Sequence, residues 1–269
     1  MDKNLAEAWI DRWDAQQQEH MPDREERFTA LIDAVAEGAG RPDPLVIDLG
    51  CGPGSLAVRL LDRIPAATVV AVDADPVLLT LGRAAFAGRY AGRYAGRIAG
   101  RAGLRFTDLD LRVAGWAGRL GLDRPADAAV STTALHWLLP PDLAAMYAEV
   151  AIALRPGGLL LNGDHLAEDE TSPVLVRLGR ALIEREVRRH PVADGTETWT
   201  TWWEAVAADP ELGALAGRRE RIGLGAGHHG SPSGRLAVHV AALQKAGFEE
   251  VGTLWQRGDN RLLCGVLPG

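Results

Sequence analysis

Apolar residues near the start of the chain recur at helical spacing, first Leu5, Trp9 and Trp13, then Phe28, Leu31, Ile32 and Val35. His20-Met21-Pro22 breaks the series, so the pattern predicts two helices joined by a turn across residues 6–35. Beyond the Arg41-Pro42-Asp43-Pro44 linker the helical period disappears. Leu45-Val46-Ile47-Asp48-Leu49 is an almost continuous apolar run, as expected of a parallel strand covered on both faces. Residues 55–64 then read as a helix, 68–72 as a strand, and the segment from Pro76 as a helix that starts on proline. Residues 104–107, 128–131 and 159–162 add three strands, and 142–154 a helix closed by Arg155-Pro156-Gly157-Gly158. Near the end, residues 236–246 form a helix stopped by Gly247, and 250–255 and 262–267 pair as a hairpin around Arg257-Gly258-Asp259-Asn260.

This alternation predicts an α/β fold: a doubly wound seven-stranded sheet, mostly parallel, with right-handed crossovers and a terminal antiparallel hairpin. Residues 168–232 are too long for an ordinary loop and hold a helical stretch at 174–189 and the cluster Trp199, Trp202 and Trp203, so a helical cap is expected there. The expected organisation is an N-terminal helical lid at 1–40, an α/β core at 41–167, the cap insertion at 168–232, and a helix and hairpin at 233–269 that complete the core. A four-residue repeat of the Ala-Gly-Arg-Tyr type fills residues 87–101; its glycines cost about 1 kcal/mol each in a helix, and it reads as an expanded surface helix without chemistry.

Composition changes this picture only at its edges. The chain has 269 residues, 47% of them hydrophobic and 24% charged, enough for one large domain. No apolar run approaches the roughly 18 to 20 residues of a membrane span, and Met1-Asp2-Lys3-Asn4 has no signal-peptide core, so a cytoplasmic protein with no membrane partner is expected. Cys51 and Cys264 fit reduced thiols. A net charge of -7 argues against a nucleic-acid partner, because phosphate binders carry a basic excess. The expected state is monomer or homodimer.

The candidate chemistry sits where strands end. Asp48-Leu49-Gly50-Cys51-Gly52-Pro53-Gly54 follows a buried strand and opens a helix, the context in which glycines let a backbone turn sharply and approach a ligand. The spacing is GxGxG, and Asp48 just before it would repel a pyrophosphate yet attract an ammonium, which disfavours a nicotinamide dehydrogenase. Asp73 closes the second strand, where a carboxylate can accept from both hydroxyls of a ribose. Asp108 closes the third, where it can accept from an adenine amino group.

Together Val46 to Gly54, Val70-Ala71-Val72-Asp73-Ala74-Asp75, Asp108-Leu109 and Leu154-Arg155-Pro156-Gly157-Gly158 resemble the successive motifs of class I methyltransferases dependent on S-adenosylmethionine (SAM), over about residues 45–162. The resemblance implies a Rossmann-like fold, with Gly50, Cys51, Gly52 and Gly54 along the amino-acid moiety of SAM, Asp48 nearby, Asp73 and Ala74 at the ribose, and Asp108 and Leu109 at the adenine. Ser131-Thr132-Thr133-Ala134-Leu135-His136-Trp137-Leu138 is similar to the matching segment of the trans-aconitate methyltransferase-like branch, which acts on small molecules. That branch implies Thr132 near the cofactor and Arg27, in the second helix, at its carboxylate. The expected activity is methyl transfer to O, N or C of a small, aromatic or hydrophobic acceptor, in natural-product biosynthesis, with S-adenosylhomocysteine (SAH) as co-product. The same fold also serves SAM-binding proteins that cyclise, decarboxylate or act as noncatalytic partner subunits.

For the base, His165 is the first choice, just past the fifth strand, and His136 its rival; Asp164 and His165 should point to opposite sides of the strand. Trp137, Trp199, Trp202 and Trp203 are candidate acceptor walls, and His228 and His229 a candidate acceptor loop. No Cys or acid stands at metal spacing from that histidine pair, so no metal is expected.

Overall fold

The computed structural model describes residues 1–90, 103–168, 171–189, 195–224 and 232–269. The repeat beyond Tyr90 lies outside them. Two helices, α1 (Lys3–His20) and α2 (Arg24–Ala39), precede β1 (Leu45–Leu49), α3 (Ser55–Arg63), β2 (Thr68–Asp73), α4 (Pro76–Tyr90) and β3 (Gly103–Asp108). The chain continues through β4 (Ala126–Thr132), α5 (Pro140–Ala153) and β5 (Leu154–His165) to the helices α6 (Pro173–Arg189), α7 (Trp199–Ala208) and α8 (Gly213–Arg221). It closes with α9 (Leu236–Lys245), β6 (Glu250–Arg257) and β7 (Asn260–Val266).

The seven strands form one sheet in the order β3-β2-β1-β4-β5-β7-β6, parallel except where β7 pairs antiparallel with β5 and β6. Every residue of β1 is buried, which explains its lack of alternation. One face, with Val46, Val69 and Leu161, packs on α2, α3 and Leu79 of α4; the other, with Ile47, Val70 and Leu160, packs on α5 and α9. Arg155-Pro156-Gly157-Gly158, expected to close a helix, instead opens β5: α5 ends at Ala153 and Gly157 takes a left-handed φ of 67°. Arg155 Nε donates to Asp127, which also accepts the Leu45 amide and so ties β1, β4 and β5 together at the edge remote from the glycine loop.

A third apolar cluster departs from the expected layout. Ala6, Trp9, Ile10 and Trp13 of α1 share a core with Val77, Leu78 and Leu81 of α4 and with Trp202, Val206, Leu212 and Ala216 around α7 and α8. α1 and the helices α7 and α8 thus share one core, standing on α4. Among the described residues, no helix is long and apolar enough to cross a membrane.

Candidate active site

The glycine loop owes its shape to backbone that only glycine adopts cheaply: φ is 67°, 56° and 98° at Gly50, Gly52 and Gly54. The three differ in what surrounds them. A Cβ on Gly50 would collide with Ala134 and one on Gly54 with Phe106, so these two glycines permit close packing. A Cβ on Gly52 would meet only Leu78, at 3.8 Å, so room remains beside the middle of the loop. The Gly52 amide donates to Asp73 Oδ2 and the Asp75 amide to Oδ1, each at 2.8 Å, which fixes the carboxylate against the loop with lone pairs to spare. Burial, with the charge of Asp75, pushes the Asp73 carboxyl up to about 6. Asp48 is fully buried; burial first and the charge of Asp73 second push its carboxyl to about 8 against a small opposing effect of the Ala57 amide.

Ala74 is half-buried, and Leu109 is buried with its amide donating to the Asp73 carbonyl at 3.0 Å. Asp108 is exposed and stands 3.7 Å from Arg218 of α8. Cys51 is a buried thiol raised well above its usual value by burial and the nearby carboxylates, a packing residue. The sequence reading missed Asp75, which caps α4 through the amides of Val77 and Leu78 and accepts from Arg219 Nε at 2.6 Å. Arg219 in turn lies 3.8 Å over the ring of Trp203. No local pattern marks that contact, since it joins residues far apart in the chain.

Across the sheet edge, β4 ends at Thr132 and the chain turns at Thr133, whose φ of 49° is a conformation that costs a β-branched residue about 1 to 3 kcal/mol. The Thr133 amide donates to the Gly163 carbonyl at 2.9 Å, and a 3-10 turn at Leu135–Trp137 swings His136 back over β5. There His136 Nδ1 lies 2.9 Å from both carboxyl oxygens of Asp164, which is fully buried. A carboxylate only accepts, so Nδ1 carries the proton and Nε2 presents its lone pair. Burial alone would depress the imidazole, but the hydrogen bond and charge of Asp164 outweigh it and raise its pKa. Burial likewise would raise Asp164, and the hydrogen bond and charge of His136, the charge of Arg27 and the His165 amide together lower it.

His165 does not share this site. Strand alternation sends it to the opposite face, where Nδ1 sits 3.0 Å from Asp259 and the side chain is 46% exposed. Of the two histidines, His136 is the one held against a buried carboxylate. Arg27, expected at the cofactor's carboxylate, is fully buried: it donates to Asn260 Oδ1 at 2.6 Å and to Thr132 Oγ1 at 2.8 Å, and its Nε has no partner. Burial pulls its guanidinium down to about 10 against the pull of Asp164. Gly163 makes room for it, since a Cβ there would lie 2.9 Å from Arg27 Cδ. Thr132 consequently faces Arg27 through its hydroxyl. Behind Asp164 lies a second buried pair unseen in the sequence, Tyr147 OH at 2.6 Å from His239 Nδ1, whose Nε2 donates to the Ser233 carbonyl at 2.6 Å.

The tryptophans divide. Trp202 is fully buried and meets Trp9 and Trp13 edge-on, with centroids 5.6 and 5.0 Å away, so it is core of the cap and not an acceptor wall. Trp203 is half-buried beneath Arg219. Trp199 stacks on Trp137 at 6.4 Å and 21°, and Trp137 neighbours His136 at 5.2 Å, which links one cap tryptophan to the dyad. His228 and His229 lie outside the described residues. Among the described residues no cluster of His, Cys, Asp or Glu could hold a metal ion.

With this geometry in place, comparison with known proteins bears on the core. Residues 46–158 match a family described as a methyltransferase domain. The matched stretch runs from β1 to the start of β5 and holds the glycine loop, Asp73 and Asp108. The trans-aconitate 2-methyltransferase of Azoarcus sp. (strain BH72) is 32% identical over 165 residues, 61% of this chain and 55% of that protein. The chain spans about half the length of the curated relatives it matches. An O-methyltransferase family protein from Burkholderia thailandensis shares the fold at a TM-score of 0.54 and 19% identity, covering 89% of this chain and 55% of that one. A magnesium protoporphyrin IX methyltransferase from Synechocystis PCC 6803, solved with SAM, shares it at 0.50 and 14%, covering 96% and 90%. The residues present would suit SAM: there is room beside Gly52, Asp73 is pinned with accepting capacity, and Asp48 is buried and poorly solvated beside the loop.

Proposed function

We propose that the chain transfers a methyl group from SAM to a small-molecule acceptor. The observation that carries this reading is the Asp73 carboxylate locked onto the Gly52 amide beside an unfilled space, within a segment that matches a methyltransferase domain. Bound SAM supplies an electrophilic methyl group on a sulfonium that is already an excellent leaving group. The protein's task is then alignment, exclusion of water and, where the acceptor holds its proton, removal of that proton. Asp73 would accept from the ribose hydroxyls, Leu109 and Asp108 border the adenine, and the glycine loop receives the amino-acid end. His136 is the base: its turn hangs beside Gly50 through Ala134, and Asp164 fixes its tautomer. Trp137 and Trp199 offer flat apolar surface next to it, which suits a small aromatic or hydrophobic acceptor.

Calorimetric titration tests the cofactor. SAM and SAH should bind at one site, and Asp73→Ala should weaken both by about 1.5 to 3 kcal/mol, the worth of hydrogen bonds to a charged group. NAD binding without SAM binding, or an unchanged dissociation constant in the variant, would contradict the assignment.

A further inference from the structure

The dyad also bears on the acceptor. A carboxylate is ionised at neutral pH and attacks a methyl group with no help from a base, whereas a phenol or enol holds its proton and gains from one. Building His136 onto a buried Asp164 provides the proton acceptor that the second kind of nucleophile needs and the first does not. The conformation that brings His136 there is itself strained at Thr133, so the placement is held by the surrounding structure. The charged and titratable groups that face the dyad are Asp164 from β5, Arg27 from α2, Tyr147 from α5 and His239 from α9. Arg261 lies opposite Asp164 in the sheet. Both guanidinia, of Arg27 and of Arg261, are buried and already donate within the protein, to Asn260 and Thr132 and to Glu168.

Resting on the methyltransferase reading, we infer that the acceptor is a hydroxyl on a flat ring, a phenol or enol, which lies beside Trp137 and Trp199 and gives its proton to His136 Nε2. In that step the acceptor oxygen bonds to the methyl carbon, the carbon–sulfur bond breaks with its electron pair going to sulfur, and SAH leaves as a neutral thioether. The O–H proton stays on the imidazole, which Asp164 stabilises as a positioning residue, and later passes to solvent. This acceptor differs in class from the carboxylic acid in the name of the sequence relatives.

The probe is 4-nitrophenol, whose phenolate is yellow, added to the SAH-loaded protein at about one pH unit below the phenol's own pKa. The bound probe should show an ionised fraction several-fold above that in free solution, with a matching loss of ionisation in His136→Gln and a partial loss in Asp164→Asn. Benzoate, the carboxylate control, has no proton to give at this pH and should bind more weakly than the probe. The inference is overturned if 4-nitrophenol fails to bind, binds without ionising, ionises equally in His136→Gln, or is displaced by benzoate with higher affinity. SAH binding is measured first by calorimetry, so a failure of the methyltransferase reading itself, which removes this inference too, shows before any probe is added.

Discussion

At the scale of single residues, two histidines that look equivalent in the sequence have opposite surroundings. His136 meets a buried carboxylate, whereas His165 meets Asp259 near solvent. His136→Ala should lower kcat by roughly 10² to 10⁴ fold with SAM affinity intact, while His165→Ala stays within a few fold, as steady-state kinetics would show. Because the neutral imidazole is the base, kcat/KM should rise with pH through a pKa above the usual histidine value. Asp164→Asn removes what raises it, so the limb should move to lower pH while the rate falls by roughly 10² to 10⁴ fold; a limb that stays put would deny the positioning role. Alternation along β5 was legible in the sequence and correctly separated Asp164 from His165. Which of the two faces the site was not, because that depends on the turn at Thr133.

Asp48 gives a second residue-scale expectation, with the opposite sign from an ordinary paired carboxylate. Its folded pKa of about 8 lies above an unfolded value of about 3.9, so the stability it contributes is present below the unfolded pKa and is lost as pH rises toward about 8. Asp48→Asn mimics the protonated form and should flatten that loss. A folded pKa one pH unit above the unfolded one is worth about 1.4 kcal/mol, so urea unfolding of SAM-free protein at pH 8 should find the variant more stable by at least about that amount. Equal stability of the two proteins at pH 8 would show that Asp48 is better solvated than its burial implies.

At the scale of elements, the strands and glycine loop were readable because their signals are local: an apolar run, then glycines, then helix. The boundary of β5 was misread because Arg155-Pro156-Gly157-Gly158 carries the punctuation of a helix end, although here it opens the strand and is clamped through Arg155 to Asp127. The cap shows a different difficulty. A helix with tryptophans at 199, 202 and 203 has the same pattern whether its apolar face lines a cavity or packs on another helix, and α1 decides it by bringing Trp9 and Trp13. Trp202→Ala should therefore destabilise the fold by about 3 to 5 kcal/mol in denaturant unfolding. Trp199→Ala should leave the melting temperature within a few degrees and raise the acceptor KM; the reverse allocation would restore Trp202 to the acceptor wall.

At the scale of the whole molecule, the sheet order places Asp48, Asp73 and Asp108 on one side of the topological switch and the His136–Asp164 dyad on the other, with the first glycine and Ala134 in contact between them. Ligands of open α/β sheets gather at that edge. The alternation of elements announced this much, since a parallel sheet has few ways to be wound. What the chain could not announce was that Arg27 and Asn260, far apart in sequence, meet under the site, or that α1 shares one core with α7 and α8.

Methyl transfer to a small acceptor is tested most directly by incubating the chain with methyl-labelled SAM and a panel of phenols, enols, amines and carboxylic acids, then weighing the products by mass spectrometry. The expected result is one labelled methyl on a hydroxyl acceptor for each SAH released, lost in His136→Ala. Bound SAM with no labelled product and no SAH from any member of the panel would contradict it.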